Sequence, residues 1–195
     1  MSETLDDVLA DCRNRLIRAP RDRKAPMHTP VIVTADVDAR VMVLRAFDAQ
    51  GWRLRLHTDS RAPKAQVIAA DPRIAVLFYD KGAKVQIRAR GTGAILREGG
   101  EVDAAWAAST NFARRCYLGE GPGTSADGPT SGLPPEFEGV EPEDAQLIPA
   151  RENFALLQIT LTALDWLYLA HTGHVRAQFS RAAEDGAWEG RWVSP

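Results

Sequence analysis

The stretch Arg40 to Lys64, RVMVLRAFDAQGWRLRLHTDSRAPK, decides how the chain reads. Residues 40–47 are apolar and β-branched with an arginine at either end of the core run, and Asp48-Ala-Gln-Gly51 is turn chemistry. Residues 52–58 alternate: Trp52, Leu54, Leu56 and Thr58 fall on one face, Arg53, Arg55 and His57 on the other. That period of two predicts a half-buried antiparallel strand. Asp59-Ser-Arg-Ala-Pro-Lys64 then places two cations beside a helix start, where backbone N–H groups and charged side chains suit a phosphate. Taken alone, these residues favour a plain hairpin and a solvated loop over a phosphate site.

Working outward, residues 3–18 carry Leu5, Val8, Leu9, Cys12, Leu16 and Ile17 at steps of three and four, with acids early and arginines late, which predicts an amphipathic helix. Residues 18–29 are a basic, proline-punctuated connector. Residues 30–38 read as a first strand that turns at Asp36–Ala39 into strand 40–47. Residues 63–70 form a short helix that stops before Asp71-Pro72. The nearly unbroken apolar run 73–80 predicts a strand buried on both faces. Residues 83–97 form a long strand whose glycines imply a bend or bulge.

Residues 100–118 read as helix. Residues 119–150, with six glycines, six prolines and many acids, are too long for a plain connection and suggest a partly ordered loop near a ligand or a subunit seam. Strands follow at 153–162, 164–170, 174–181 and 188–193, with a hairpin turn at Glu184–Ala187. About eight strands joined by short turns, with two or three helices, predict a mainly β (α+β) fold: an antiparallel barrel with a few flanking helices rather than a doubly wound sheet.

The chain has 195 residues, which suits one domain with a sizeable core, and 45% of them are hydrophobic. Its net charge of −2 argues against a general nucleic-acid binder. No apolar run approaches membrane-spanning length, and residues 1–11 lack the basic start of a signal peptide, so a cytoplasmic protein is expected. Cys12 and Cys116 have no metal or redox spacing and read as reduced thiols. His171 and His174 lack partners at zinc spacing, so no metal site is expected.

The order RVMVLR, LHTDSRAPK, a short helix ending Asp71-Pro72-Arg73, IAVLFYD and KVQIRARG resembles the pyridoxamine 5′-phosphate oxidase-like family of FMN-binding split β-barrels. The resemblance runs from about Pro30 to Gly93 and resumes more weakly from about Phe154 to Pro195. It implies a split barrel, an FMN cofactor, a homodimer with the site at the seam, and flavin-dependent oxidoreductase chemistry on a small substrate. The alternatives are a non-catalytic flavin carrier or sensor, or the same barrel holding haem or a deazaflavin. The resemblance also implies roles for residues. Arg40 and Lys64 bind phosphate, and Arg61 is a further candidate because Ala62-Pro63-Lys64 replaces the family's Ser-Arg-Lys.

The strand Arg40, Val41, Met42, Val43, Leu44 and Arg45 binds flavin largely through backbone, with Arg45 where the family has lysine near the ring. Arg40 and Arg45 are five apart and point to opposite faces of a regular strand, so different roles are expected for them rather than an intervening bulge. His57 and Thr58 match a Tyr-Thr pair that contacts the flavin, and Gln86 matches the amide at the ring edge, where it can donate and accept. His174-Val-Arg176-Ala-Gln178 replaces the family's substrate-holding Arg-x-His and its following arginine. His174 and Arg176 are therefore candidates for binding an anionic or polar substrate, and oxidation of pyridoxamine phosphate itself is not implied. No residue is expected to act as a catalytic acid or base.

Overall fold

A computed structural model describes residues 4–183 and 186–195. The turn expected at Glu184–Ala187 falls at its first two positions outside the described residues, as does residue 3 of the first helix. Nine strands are present among the described residues: β1 (Val31–Val33), β2 (Ala39–Val41), β3 (Leu44–Asp48), β4 (Arg53–Asp59), β5 (Arg73–Asp80), β6 (Val85–Leu96), β7 (Phe154–Tyr168), β8 (Val175–Ser180) and β9 (Glu189–Val193). The helices are α1 (Leu5–Arg18), α2 (Pro63–Ala70), α3 (Gly100–Ala107) and α4 (Asn111–Arg114), with 3₁₀ turns at Pro26–His28, Arg115–Tyr117, Pro135–Phe137 and Asp144–Glu152. The strands hydrogen-bond in the order β2-β1-β5-β6-β7-β4-β3, and β8 pairs with β7 and β9. The β1–β2, β1–β5, β3–β4, β5–β6, β7–β8 and β8–β9 pairs are antiparallel.

The chain divides into two compact units. The first comprises residues 1–56, 71–93 and 158–195. In it α1 begins with a capping box: Asp7 N–H donates to the Thr4 hydroxyl at 3.1 Å, and Thr4 N–H donates to the Asp7 carboxylate at 3.2 Å. Its buried stripe is Val8, Cys12 and Leu16, at the predicted four-residue steps. Arg15 at its end reaches the Asp80 carboxylate at 2.9 Å, joining the helix to the end of β5. Trp52 is buried edge-on between Phe47 and Trp188 and takes a left-handed φ of 52°, so β4 starts one residue later than its apolar pattern suggests.

Three expectations for this unit change. Residues 30–38 pair only over β1, because the Thr34 hydroxyl donates to Asp36 at 2.6 Å and Thr34 N–H to the Asp38 carbonyl at 3.1 Å, curling the chain early. Residues 40–47 are not one strand. β2 pairs with β1 and β3 with β4, so Met42 and Val43 bridge two ladders, and a register shift follows between Leu44 and Ala46. Arg40 and Arg45 therefore stand on different strands, with the register shift at Arg45 itself, so the parity of a single regular strand does not relate them. Nor is β5 buried on both faces: Ile74, Val76 and Phe78 are buried, whereas Leu77 is 36% and Tyr79 47% exposed. Hydrophobicity alone did not distinguish a face covered by this chain from one left open.

Farther along, 153–162 and 164–170 merge into the single strand β7. Gly91 of β6 lies against it so closely that a Cβ would fall 1.9 Å from the Thr160 carbonyl oxygen.

The second unit comprises residues 57–70 and 94–157. Its core gathers Val102, Ala105, Phe154 and Leu156, with Leu96, Trp106 and Tyr117 against them. The predicted helix 100–118 is broken: α3 ends at Ala107, Thr110 caps α4, and a 3₁₀ turn follows. Thr110 offers its hydroxyl to Ala113 N–H at 3.3 Å, a cap interaction that competes with continuing the first helix.

Two measurements test this description. Gly91→Ala forces backbone apart and is expected to lower stability by roughly 1–3 kcal/mol, read as a lower urea midpoint. Cys12 is buried and burial pushes its thiol pKa up, whereas Cys116 is exposed. A thiol reagent is expected to label Cys116 rapidly in the native chain and Cys12 only after denaturation.

Candidate functional site

In the second unit, β4 delivers His57, Thr58 and Asp59 into the turn that opens α2. Thr58 and Asp59 are buried, the latter 7% exposed. The Asp59 carboxylate accepts from Arg61 three times: from backbone N–H at 2.8 Å, Nε at 3.0 Å and a terminal guanidinium nitrogen at 2.7 Å. Ser60 N–H donates to the Asn153 carbonyl at 2.8 Å, which fixes the turn from the other side. The turn brings Thr58, Ser60, Arg61 and Lys64 together as two hydroxyls and two cations, and Lys64 is half-buried in the first turn of α2. His57 meets Phe154 edge-on at 5.0 Å, and Phe154 in turn touches Trp106 and Tyr117. Hydrogen bonding from Asp59 comes first in raising the Arg61 pKa. Desolvation opposes it, and the charges of Asp59, Glu120 and Glu152 add to it.

The first unit holds the other candidates. Arg40, opposite Ile32 in the β1–β2 ladder, donates to the Thr34 hydroxyl at 3.0 Å and pairs with the Asp38 carboxylate. Val41 is 65% exposed, Met42 and Val43 are half-buried between the two strands, Leu44 is buried, and Arg45 is exposed at the bulge. Gln86 of β6 faces Tyr79 across the ladder and is half-buried. His174 is exposed in the turn before β8.

Arg176 is not a solvated cation. Its Nε and a terminal nitrogen donate to Asp165 at 2.9 and 2.6 Å. The same carboxylate accepts from Gln178 at 3.0 Å and Arg88 at 2.7 Å. This hub lines a concavity of about 720 Å³ that also includes Leu77, Arg90 and Arg191. Sequence reasoning missed Asp165 and Arg88, because only the strand registers bring them beside Arg176. It also missed the carboxylates of Asp38 and Asp59, although both lie two residues from the arginine they hold.

Burial works against the charge on Asp165, but the bonds from Arg176 and Gln178 and the charges of Arg88 and Arg176 outweigh it. Its pKa therefore lies below the ordinary carboxylate value. A depressed folded-state pKa contributes stability above the unfolded pKa of about 4, and that contribution is lost as pH falls through the folded value. Asp165→Asn is expected to be less stable at neutral pH and to lose less further stability below about pH 4 than the parent chain, measured by urea denaturation across pH.

The family described as pyridoxamine 5′-phosphate oxidase, FMN-binding domain, matches residues 19–97. A pyridoxine/pyridoxamine 5′-phosphate oxidase of Caulobacter vibrioides is 27% identical over 187 residues, covering 91% of this chain and 78% of the relative. Among solved structures, a pyridoxamine 5′-phosphate oxidase-related, FMN-binding protein from Nostoc punctiforme superposes with a TM-score of 0.72 at 20% identity, covering 100% of both chains. PhzG from Burkholderia lata, in complex with tetrahydrophenazine-1-carboxylic acid, gives 0.62 at 15% identity, covering 98% of this chain and 90% of that one. The last two likenesses concern the fold, which is an antiparallel split barrel. The chain is thus similar to the pyridoxamine 5′-phosphate oxidase-like split-barrel proteins, by sequence model over residues 19–97 and by fold over its whole length.

Proposed function

We propose that this chain binds FMN as a homodimer and works as a flavin-dependent oxidoreductase on a small polar or anionic substrate. One observation carries the reading. Every candidate cofactor residue, from Arg40 to Gln86, lies within the residues 19–97 that match the FMN-binding domain. The donor set suits the group. Lys64 offers charge to a phosphate dianion beside the Thr58 and Ser60 hydroxyls of the same turn, and the family resemblance assigns Arg40 a phosphate role as well. Met42 and Val43 run between two ladders, which suits backbone contact with a ring, and the Gln86 amide can both donate and accept at a ring edge.

When bound, the flavin supplies hydride chemistry, and the protein's part is to bind, orient and exclude water. Arg176, aimed by Asp165 and flanked by Gln178, is the candidate clamp for an anionic group of the substrate. The carboxylic acid bound to PhzG is a ligand of that class. Supporting the dimer, β5 turns Leu77 and Tyr79 outward, and Val41 is exposed in the same unit. An open apolar strand face of this kind favours a partner chain, here a second copy.

The test is an FMN titration of the cofactor-stripped protein. Arg40→Ala and Lys64→Ala each remove a charge-assisted hydrogen bond, worth roughly 1.5–3 kcal/mol, and are expected to weaken FMN binding about tenfold to a hundredfold. Unchanged affinity in both variants would overturn the phosphate assignment. Sedimentation of the flavin-loaded protein should give a dimer, and a fully loaded monomer would refute the shared site.

A further inference from the structure

Residues 119–132 of the second unit make a loop closed at its base. Glu120 N–H donates to the Gly132 carbonyl at 2.8 Å, and a Cβ on Gly119 would fall 2.5 Å from that same oxygen. Beyond the base, Gly121–Thr124 forms a tight turn: Thr124 donates to the Gly121 carbonyl through its N–H at 3.1 Å and its hydroxyl at 2.7 Å. Gly123 holds a φ of +93°, a conformation that favours glycine. This turn lies on the entry to α2. A Cβ on Gly121 would be 3.6 Å from Arg61 Cβ, and one on Gly123 would be 3.4 Å from Pro63 Cγ.

The segment that follows is pinned as well. Arg115, buried, donates to the carbonyls of Phe137 at 2.7 Å and Val140 at 3.0 Å, with its guanidinium 4.0 Å from the centre of the Phe112 ring. Asn111 donates to the Pro142 carbonyl at 3.2 Å. The glycine- and proline-rich segment is thus fixed at two places: Gly121–Thr124 lies beside Arg61 and Pro63, next to the candidate phosphate cation Lys64, and residues 137–142 are held by Asn111 and Arg115.

We propose that the Gly119–Thr124 turn is a wall at the phosphate end of the cofactor site. It would select a flavin that ends in a phosphomonoester over one that continues beyond that phosphate, such as a flavin-adenine dinucleotide. The inference rests on the assignment of Lys64 to phosphate. Two physical terms support it. The first is steric: the turn passes so close to Arg61 and Pro63 that a single Cβ added at Gly121 or Gly123 would reach van der Waals contact with them, so a group extending over that face of the turn meets backbone. The second is electrostatic: Glu120 and Glu152 act on Arg61, and Asp59 already holds its guanidinium, so a second phosphate there meets carboxylates rather than a free cation.

The experiment titrates FMN and FAD separately into the cofactor-stripped full chain and into two variants, read by quenching of flavin fluorescence. In one variant residues 122–130 are replaced by a Gly-Ser pair across the closed base. The other is Glu120→Gln, which keeps the loop and removes one charge. The full chain should bind FMN at least about a hundredfold more tightly than FAD. The shortened loop should narrow that preference by about tenfold or more through a gain in FAD affinity, with FMN affinity kept. Glu120→Gln should narrow it in the same direction by about twofold to fivefold.

Equal binding of the two flavins by the full chain, or a preference unchanged in both variants, overturns the wall and leaves the cofactor assignment standing. A full chain that binds neither flavin overturns the cofactor assignment and the wall together.

Discussion

Asp59 is a carboxylate buried at the end of β4, where an uncompensated charge would cost several kcal/mol. The chain compensates it locally: Arg61, two residues on, supplies a backbone N–H and two guanidinium contacts. That closure curls residues 59–62 into the turn that begins α2, with Ala62 N–H donating to the Asp59 carbonyl at 3.2 Å. The turn's position then sets where Thr58, Ser60 and Lys64 stand. The same pair gives the Gly121–Thr124 turn a rigid Arg61 stem to pack on. Removing the carboxylate would free the guanidinium and loosen the turn together, so the local electrostatics and the candidate site are one construction.

The same device recurs. Arg40 is held by Asp38 and Thr34, and Arg176 by Asp165. In each case a carboxylate orients a guanidinium that has five N–H donors, so some donors remain available to a second acceptor. An arginine held in this way loses less side-chain freedom when a ligand anion arrives, which favours binding. The carboxylate also partly cancels its charge. Lys64, a mobile point charge in the same turn as Arg61, complements this arrangement by offering charge with less directional demand.

Much of the fold was legible because its elements obey simple periods. The alternation of residues 52–58 and the three- and four-step stripe of α1 both appear in the structure as buried faces. The break between β2 and β3 was not legible, because RVMVLR has uniform strand propensity and the change of partner depends on pairing with β1 and β4. The open face of β5 was hidden for a related reason: an apolar run looks the same whether its second face is covered by the same chain or awaits another. Of the candidate site, the cations were readable from the ordered motifs. Their carboxylate partners were less so. Asp165 reaches Arg176, Gln178 and Arg88 only through the β7–β8 register and the neighbouring strand.

The most direct test of the central claim is the visible absorption spectrum of the purified protein, with mass analysis of whatever heating releases. Flavin absorption bands and the mass of FMN are the predicted result. A colourless protein that takes up no added FMN, or a released group with the mass of a haem or a deazaflavin, would contradict it.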